Sequence, residues 1–432
     1  MSPQKPTRPL YSWYGDDFTG STDVLEALGL HGVKAVLFTR TPDARALIEF
    51  ADCRAIGIAG ESRSRSPEWM SRNLPGIFRA MRRLCAPINH YKVCSTFDSS
   101  PRVGSVGRAM EIGRTVFRSG VVPVVVGAPH LGRAVVFGNL FAAADGTMYR
   151  IDRHPTMRCH PVTPMIEADL RRHLVLQTKL RTSLVDLMAY QSGSLELRLR
   201  AEEKTGAQAI VFDGFTDDML KETARLIVNR AAARPIFAVG SSGLTHGLLQ
   251  IWRLLKLIGP AKALPPAPPV DRLLVLSGSC APSTARQIRR AKQLGFAAWH
   301  LQGAASWSLQ ASKARDALQS GRSVVLYTAL GPQPKDENQG EAFGRAIGTM
   351  LSQLVLTTGV RRIVIAGGDT SSHAVKQLHL DALTFAAPLV RGVPLCRAHS
   401  ANSPLDGLEL ALKGGQIGPE DFFAQVRDGR VQ

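Results

Sequence analysis

Cysteine is scarce in this 432-residue chain, and its six copies are scattered. Cys53, Cys85, Cys94, Cys159, Cys280 and Cys396 include no Cys-x-x-Cys pair, which excludes a zinc knuckle and a disulfide framework and reads as reduced thiols. No apolar run is long enough to cross a bilayer, and Met1 to Pro9 lacks the apolar centre of a signal peptide. The expected location is therefore cytoplasmic, with no membrane partner. Acidic residues are also in the minority, 35 against 53 basic ones, giving a formal net charge of +18. Such an excess invites a nucleic-acid reading. The arginines, however, are spread along the whole chain, with no basic tail, no zinc-finger spacing and no RNA-binding aromatic signature. The charge is better matched to anionic small molecules, which positive surfaces steer inward, and no nucleic-acid partner is expected. The familiar phosphate motifs are missing too: there is no Gly-Lys-Ser/Thr for a Walker A loop and no complete Gly-x-Gly-x-x-Gly fingerprint.

The rest of the composition is that of a globular protein, 44% hydrophobic and 20% charged. Strand-like and helix-like runs alternate throughout, which predicts an α/β fold with mostly parallel sheets. Strands are expected at Leu10–Tyr14, Val33–Phe38, Arg54–Ile58, His90–Cys94, Val121–Val126, Ala209–Phe212 and Ile236–Val239. Pro123 argues that its strand lies at an edge or begins late. The stretch Leu264-Pro265-Pro266-Ala267-Pro268-Pro269 reads as a stiff linker. After it the alternation restarts, with strands at Leu273–Leu276, Ser323–Tyr327 and Arg362–Ala366. The length also favours two cores. The expected layout is an amino-terminal domain over 1–260, a linker over 261–271 and a carboxyl-terminal domain over 272–432, with a ligand cleft between two α/β domains.

Tyr14-Gly15-Asp16-Asp17-Phe18-Thr19-Gly20-Ser21 is the stretch around which the first half is organised. It runs from a strand into a helix with two adjacent carboxylates at the strand's end, where open α/β sheets place ligands. Ser21 or Thr22 is expected to cap the helix. The same turn also fits an ordinary helix start, since acids favour the positive end of the helix dipole. A second loop, Lys92-Val93-Cys94-Ser95-Thr96-Phe97-Asp98, brings a cation, hydroxyls and a carboxylate after a strand, suited either to a polyhydroxy acid or to plain turn chemistry. Arg63, also just past a strand, can clamp a carboxylate or face solvent. His160, in a proline-fixed segment ending Pro161-Val162-Thr163-Pro164-Met165, has no metal spacing to His154. In the second half, Ser277-Gly278-Ser279-Cys280, Gly367-Gly368-Asp369-Thr370-Ser371 and Lys413-Gly414-Gly415-Gln416 are three small-residue turns. Two of them run from a strand into a helix start, where backbone amides can reach phosphate oxygens.

Taken together these motifs resemble the four-carbon acid sugar kinase family. Asp16 to Gly20 matches its Asp-Asp-Phe-Thr-Gly motif, Ser277 to Cys280 its Ser-Gly-Ser-Cys turn, and Gly367 to Ser371 its Gly-Gly-Asp/Glu-Thr-Ser turn. Gly240 to Gly243 fits as well. Leu412 to Phe423 matches the terminal element, departing from it at Gln416 and Ile417. The resemblance implies a kinase that uses ATP with Mg²⁺, holding the acid sugar in the first domain and the nucleotide in the second. It is also compatible with a homodimer. In the second loop Cys94 and Asp98 depart from the commoner Lys-x-Asp-Ser-Thr-Leu-Arg-Gly form, which resembles the 3-oxo-tetronate kinase branch more than the threonate or erythronate kinases. On this reading Asp17, with Asp16 sharing the role or helping to hold the metal, orients or deprotonates the substrate hydroxyl. Arg63 and Lys92 pair with its carboxylate, and Ser95, Thr96, Asp98 and His160 contact its oxygens. Ser277, Ser279, the turn Gly367, Gly368, Asp369, Thr370 and Ser371, and the turn Gly414-Gly415 hold ATP. The metal ligands are left unassigned. A non-catalytic sensor of sugar acids or nucleotides is the rival reading.

Overall fold

The computed structural model describes residues 8–430 except 145, 161, 262–263, 303–306, 332–340 and 402, and for 341–343 and 368–371 it describes the backbone alone. The chain divides into two compact α/β units. One comprises Met1–Asp16, His31–Ala35 and Thr41–Ala261; the other comprises Asp17–Leu30, Val36–Arg40 and Lys262–Gln432. Among the described residues no helix is long and apolar enough to cross a membrane.

The first unit is built on strands β1 (Tyr11–Gly15), β3 (Ala55–Ala59), β4 (Ile88–Lys92), β5 (Val122–Val125), β9 (Thr182–Val185), β10 (Ala209–Phe212) and β11 (Ile236–Gly240). They lie side by side in the order β3-β1-β4-β11-β5-β10-β9, all parallel. β1, β3, β4, β10 and β11 are buried along their whole length, as strands covered by helices on both faces must be. Tyr14, Phe78, Tyr91, Phe117 and Phe237 form the aromatic centre of this core. β5 is interior, so of the two expectations from Pro123 the edge position is corrected, while the late start holds for the pairing with β11. The amide of Val122 donates to Gln208 on the β10 side. Strand alternation then turns the amide-less nitrogen of Pro123 toward β11, whose ladder with β5 starts only at Val124. The proline is accommodated because pairing on that side begins one residue late. A small antiparallel sheet of β6 (Arg133–Val136), β7 (Asn139–Ala144) and β8 (Thr147–Arg150) follows β5. The sequence reading missed it because its strands are short and only partly buried.

The second unit carries β2 (Ala35–Phe38), β12 (Leu274–Ser277), β13 (Ala297–His300), β14 (Val324–Tyr327), β15 (Arg362–Ala366), β16 (Ala382–Val390), β17 (Val393–His399) and β18 (Glu409–Lys413). β13-β14-β12-β15-β18 are parallel, and β17, β16 and β2 continue the order antiparallel. The helix Phe18–Leu30 belongs here: Glu26 accepts the Gly392 amide at 2.7 Å. Gly29 lies so close to Phe385 that an added Cβ would meet the ring at 2.3 Å. Arg362, fully buried, is held by Glu409 and by the carbonyls of Val426 and Pro268. A buried guanidinium is tolerated only with such full pairing.

Candidate active site

In the first unit the carboxyl ends of β3, β1 and β4 are level, Gly15 standing opposite Ala59 on one side and Lys92 on the other. β11 adds Gly240 opposite Lys92. The segments that leave these strands therefore emerge along one edge, the ligand-binding edge of α/β sheets. Asp16, the first residue past β1, donates its amide to the Lys92 carbonyl at 2.9 Å and accepts the Arg63 amide at 3.0 Å. Arg63 sits in a single helical turn, Ser62–Ser64, after β3. Its Nε and Nη2 donate to Oδ2 and Oδ1 of Asp16 at 3.1 and 2.7 Å. The guanidinium edge expected to meet a substrate carboxylate thus holds Asp16, a buried acid that needs a cationic partner. Gly60 makes the turn out of β3 feasible, since a Cβ there would meet the Tyr14 hydroxyl at 2.1 Å and the Gly15 carbonyl at 2.6 Å. Lys92 is buried at the end of β4.

The loop after β4 closes on itself. The amide of Phe97 donates to Cys94 O, and Phe97 takes the left-handed region at φ 54°, strain of the kind that collects at ligand sites. Thr96 Oγ1 donates to Asp98 Oδ1 at 2.6 Å, and Thr163 Oγ1 donates to Asp98 Oδ2 at 3.4 Å. The amide of Thr163 in turn donates to His160 Nδ1 at 3.1 Å. Thr96, Asp98 and His160 are therefore joined through Thr163, a residue the sequence reading passed over although it lies within the segment ending at Met165. Ser95 is half-buried between Cys94 and Thr96. Burial pushes the Cys94 thiol up, the Asp98 charge adds to this, and the Arg63 charge opposes it. The Asp16–Arg63 pair and the Asp98 loop thus share one electrostatic neighbourhood.

Asp17 belongs to the second unit. The helix starts at Phe18, and Asp17 Oδ1 accepts the Gly20 amide at 2.6 Å, the geometry of an N-cap. The cap expected from Ser21 or Thr22 is corrected accordingly. Both hydroxyls turn back to carbonyls inside the helix, Ser21 to Asp17 and Thr22 to Thr19. The expectation failed because the helix begins at Phe18, four or five residues earlier than those caps imply.

The three small-residue turns of this unit follow β12, β15 and β18, adjacent parallel strands with Ser277, Ala366 and Lys413 level at their ends. The hydroxyl of Ser277 is buried without a hydrogen-bond partner, and Ser279 Oγ accepts the Ala281 amide at 3.2 Å. Gly367, at φ 116°, precedes the helix Gly368–Gln377. The side chains of Asp369, Thr370 and Ser371 lie outside the described residues. Gly415 is held close, since a Cβ there would meet Ser279 Oγ at 2.7 Å. Its carbonyl accepts from Ser283 and Thr284 hydroxyls at 2.9 and 2.6 Å, and Gln287 Nε2 donates to the carbonyls of Ile417, Gly418 and Pro419. Lys413 Nζ donates to Thr284 Oγ1, Gly414 O and Gly415 O at 3.0, 2.9 and 3.1 Å. Burial pushes the Lys413 amine down to about 7. Thr284, Gln287 and Lys413 were not singled out from sequence. Gln287 gives no local signal, because its partners lie some 130 positions away.

Two parallel sheet edges, one lined with hydroxyl, carboxylate and guanidinium groups and one with glycine turns at helix starts, define a sugar kinase class of protein. The Sugar-binding N-terminal domain family matches residues 11–248, and the Nucleotide-binding C-terminal domain family matches residues 274–423. The chain belongs to the four-carbon acid sugar kinase family. It is 42% identical to a 3-oxo-isoapionate kinase of Paraburkholderia graminis, over 99% of this chain and 96% of that protein. It is 30% identical to a 3-oxo-tetronate kinase of Methylobacterium radiotolerans, over 96% and 97%. In fold it is similar to a Salmonella typhimurium LT2 protein described as a tRNA synthase, with TM-score 0.77, 23% identity and coverage of 96% of this chain and 98% of that one.

Proposed function

We propose that the protein transfers the γ-phosphoryl group of ATP, with Mg²⁺, to the terminal hydroxyl of a four-carbon 3-oxo acid sugar. The observation that carries this reading is the first unit's sheet edge, where Asp16, Arg63, Lys92, Thr96 and Asp98 converge from three adjacent parallel strands. The relatives named for 3-oxo-tetronate and 3-oxo-isoapionate support a 3-oxo acid as substrate.

The nucleotide residues fit their group. A buried, unpartnered Ser277 hydroxyl and a backbone cradle at Gly415 suit phosphate oxygens, which need donors and close approach rather than bulk. Ser277, Ser279, Gly367 and the Gly414-Gly415 turn would hold ATP, with Gly368, Asp369, Thr370 and Ser371 completing the site. Magnesium ordinarily takes one or two carboxylates together with phosphate oxygens, a demand that Asp16 or a neighbouring acid can meet without a preformed cage. When bound, the metal and nucleotide supply a phosphoryl group with its charge neutralised. Asp17 orients or deprotonates the attacking hydroxyl, while Lys92, Ser95, Thr96, Asp98 and His160 hold the acid sugar and Arg63 keeps Asp16 in place beside it.

The test is ADP release from purified protein given ATP and, separately, 3-oxo-tetronate, 3-oxo-isoapionate, D-threonate and D-erythronate. Turnover is expected with 3-oxo-tetronate and at most weakly with D-threonate and D-erythronate, since a few side chains set such choices, whereas turnover with 3-oxo-isoapionate alone moves the substrate to a branched five-carbon acid. No ADP with any of the four refutes the reading.

A further inference from the structure

Arg133 opens β6, just after the segment that leaves the carboxyl end of β5, on the same edge of the first unit as Asp16 and Asp98. Backbone bonds fix its position: the amide of Ala128 donates to its carbonyl at 2.9 Å, and its own amide donates to Ala128 O at 3.1 Å. The side chain is fixed at one corner only. Nη1 donates to the carbonyls of Leu131, Gly132 and Ala143 at 2.9, 3.2 and 3.3 Å. Nε is buried and has no hydrogen-bond partner. Burial lowers the guanidinium's pKa, and Cys94, in the loop that also carries Thr96 and Asp98, opposes this. A guanidinium held in place by neutral carbonyls, with a buried donor left over, is an incomplete anion site. Arg63, on the same edge, shows what the Nε–Nη2 side of such a group takes, since there it grips both oxygens of Asp16.

We infer that Arg133 binds the carboxylate of the acid sugar through the Nε–Nη2 edge of its guanidinium. This deepens the function proposed above and rests on it. The pairing leaves Arg63 free to keep Asp16 in place, and it assigns recognition of the acid group to an arginine that no sequence motif marked. Bidentate guanidinium–carboxylate pairs are geometrically selective, so a lysine cannot replace the contact fully.

The experiment compares wild type, Arg133→Gln and Arg133→Lys with 3-oxo-tetronate and with erythrulose, a four-carbon ketose that has a hydroxymethyl group in place of the carboxylate. For Arg133→Gln, kcat/KM for the acid should fall by roughly 10–100-fold, as loss of a charge-assisted pair implies. Its value for erythrulose and the KM for ATP should stay within about twofold, so that discrimination between acid and ketose collapses. Arg133→Lys should fall between the two, and added ethylguanidinium should restore part of the acid activity of Arg133→Gln. An unchanged KM for the acid overturns the inference. So does an equal loss on acid, ketose and ATP together, which would mark Arg133 as a loop support through its Nη1 contacts. Should wild type turn over none of the acids, the functional reading itself falls.

Discussion

Replacing Asp17 with Asn separates the two jobs that its carboxylate can perform. As a cap, Asp17 satisfies the Gly20 amide through Oδ1. Asn caps nearly as well as Asp, so Asp17→Asn should leave the melting temperature almost unchanged, whereas Asp17→Ala should cost about 1 kcal/mol and lower it by about 2–4 °C. As a base, the carboxylate has no substitute in Asn. Positioned general bases contribute roughly 10²–10⁴-fold, so kcat should fall at least about a hundredfold, equivalent to about 2.7 kcal/mol of barrier. The KM for the acid sugar should change much less, because the amide keeps the shape of the side chain. The assay is steady-state ADP production at saturating ATP and substrate, run beside thermal melts of each variant. If Asp17→Asn keeps kcat within a few-fold of wild type, Asp17 is a cap and nothing more. If Asp16→Asn is then the inactive variant, the roles are reversed, and its melting temperature should also fall because Arg63 loses its buried partner.

Two further predictions concern pH. Burial, reinforced by the Asp23 charge, pushes the Glu26 carboxyl up to about 8 from an ordinary 4.5. The folded state therefore binds more protons than the unfolded state between those values, and this group's contribution to stability falls as pH rises through that window. Glu26→Gln should flatten the difference between urea midpoints at pH 5 and pH 8, and an unaltered difference refutes the assignment. Lys413 works in the opposite sense: its amine is pushed down to about 7 from 10.5, so the unfolded state holds the extra proton and stability gains as pH rises between them. Lys413→Met should remove that gain and raise the KM for ATP while sparing that for the acid. In wild type, ATP binding near pH 8 should take up protons, measured by calorimetry in buffers of different ionisation heat.

Much of this architecture is legible in the residues. β10 and β15 occupy the expected ranges because fully buried parallel strands are continuous apolar runs with clear ends. The sequence also marks the turns after β1, β4, β12, β15 and β18, since small and polar residues following such runs have few other uses. What it hides is pairing at a distance. Nothing local says that Arg63 will grip Asp16, 47 positions away, or that Gln287 will satisfy three carbonyls of a far turn. The start of the first long helix was misplaced for a related reason: Thr19 and Gly20 are weak helix formers, and burial of Phe18 overrides them.

The placement of the helix Phe18–Leu30 and β2 bears on how the chain folds as it is made. Glu26 and its partner Gly392 are 366 positions apart. At a synthesis rate of about 5–20 residues per second, this helix leaves the ribosome about 20–70 s before the hairpin that covers it. The first unit's remaining strands complete their sheet in that interval. The first helix and β2 must therefore wait for the hairpin that supplies their late partners, Gly392 and the start of β16, and the closing of so long a loop is the step at which a chaperone would be most useful.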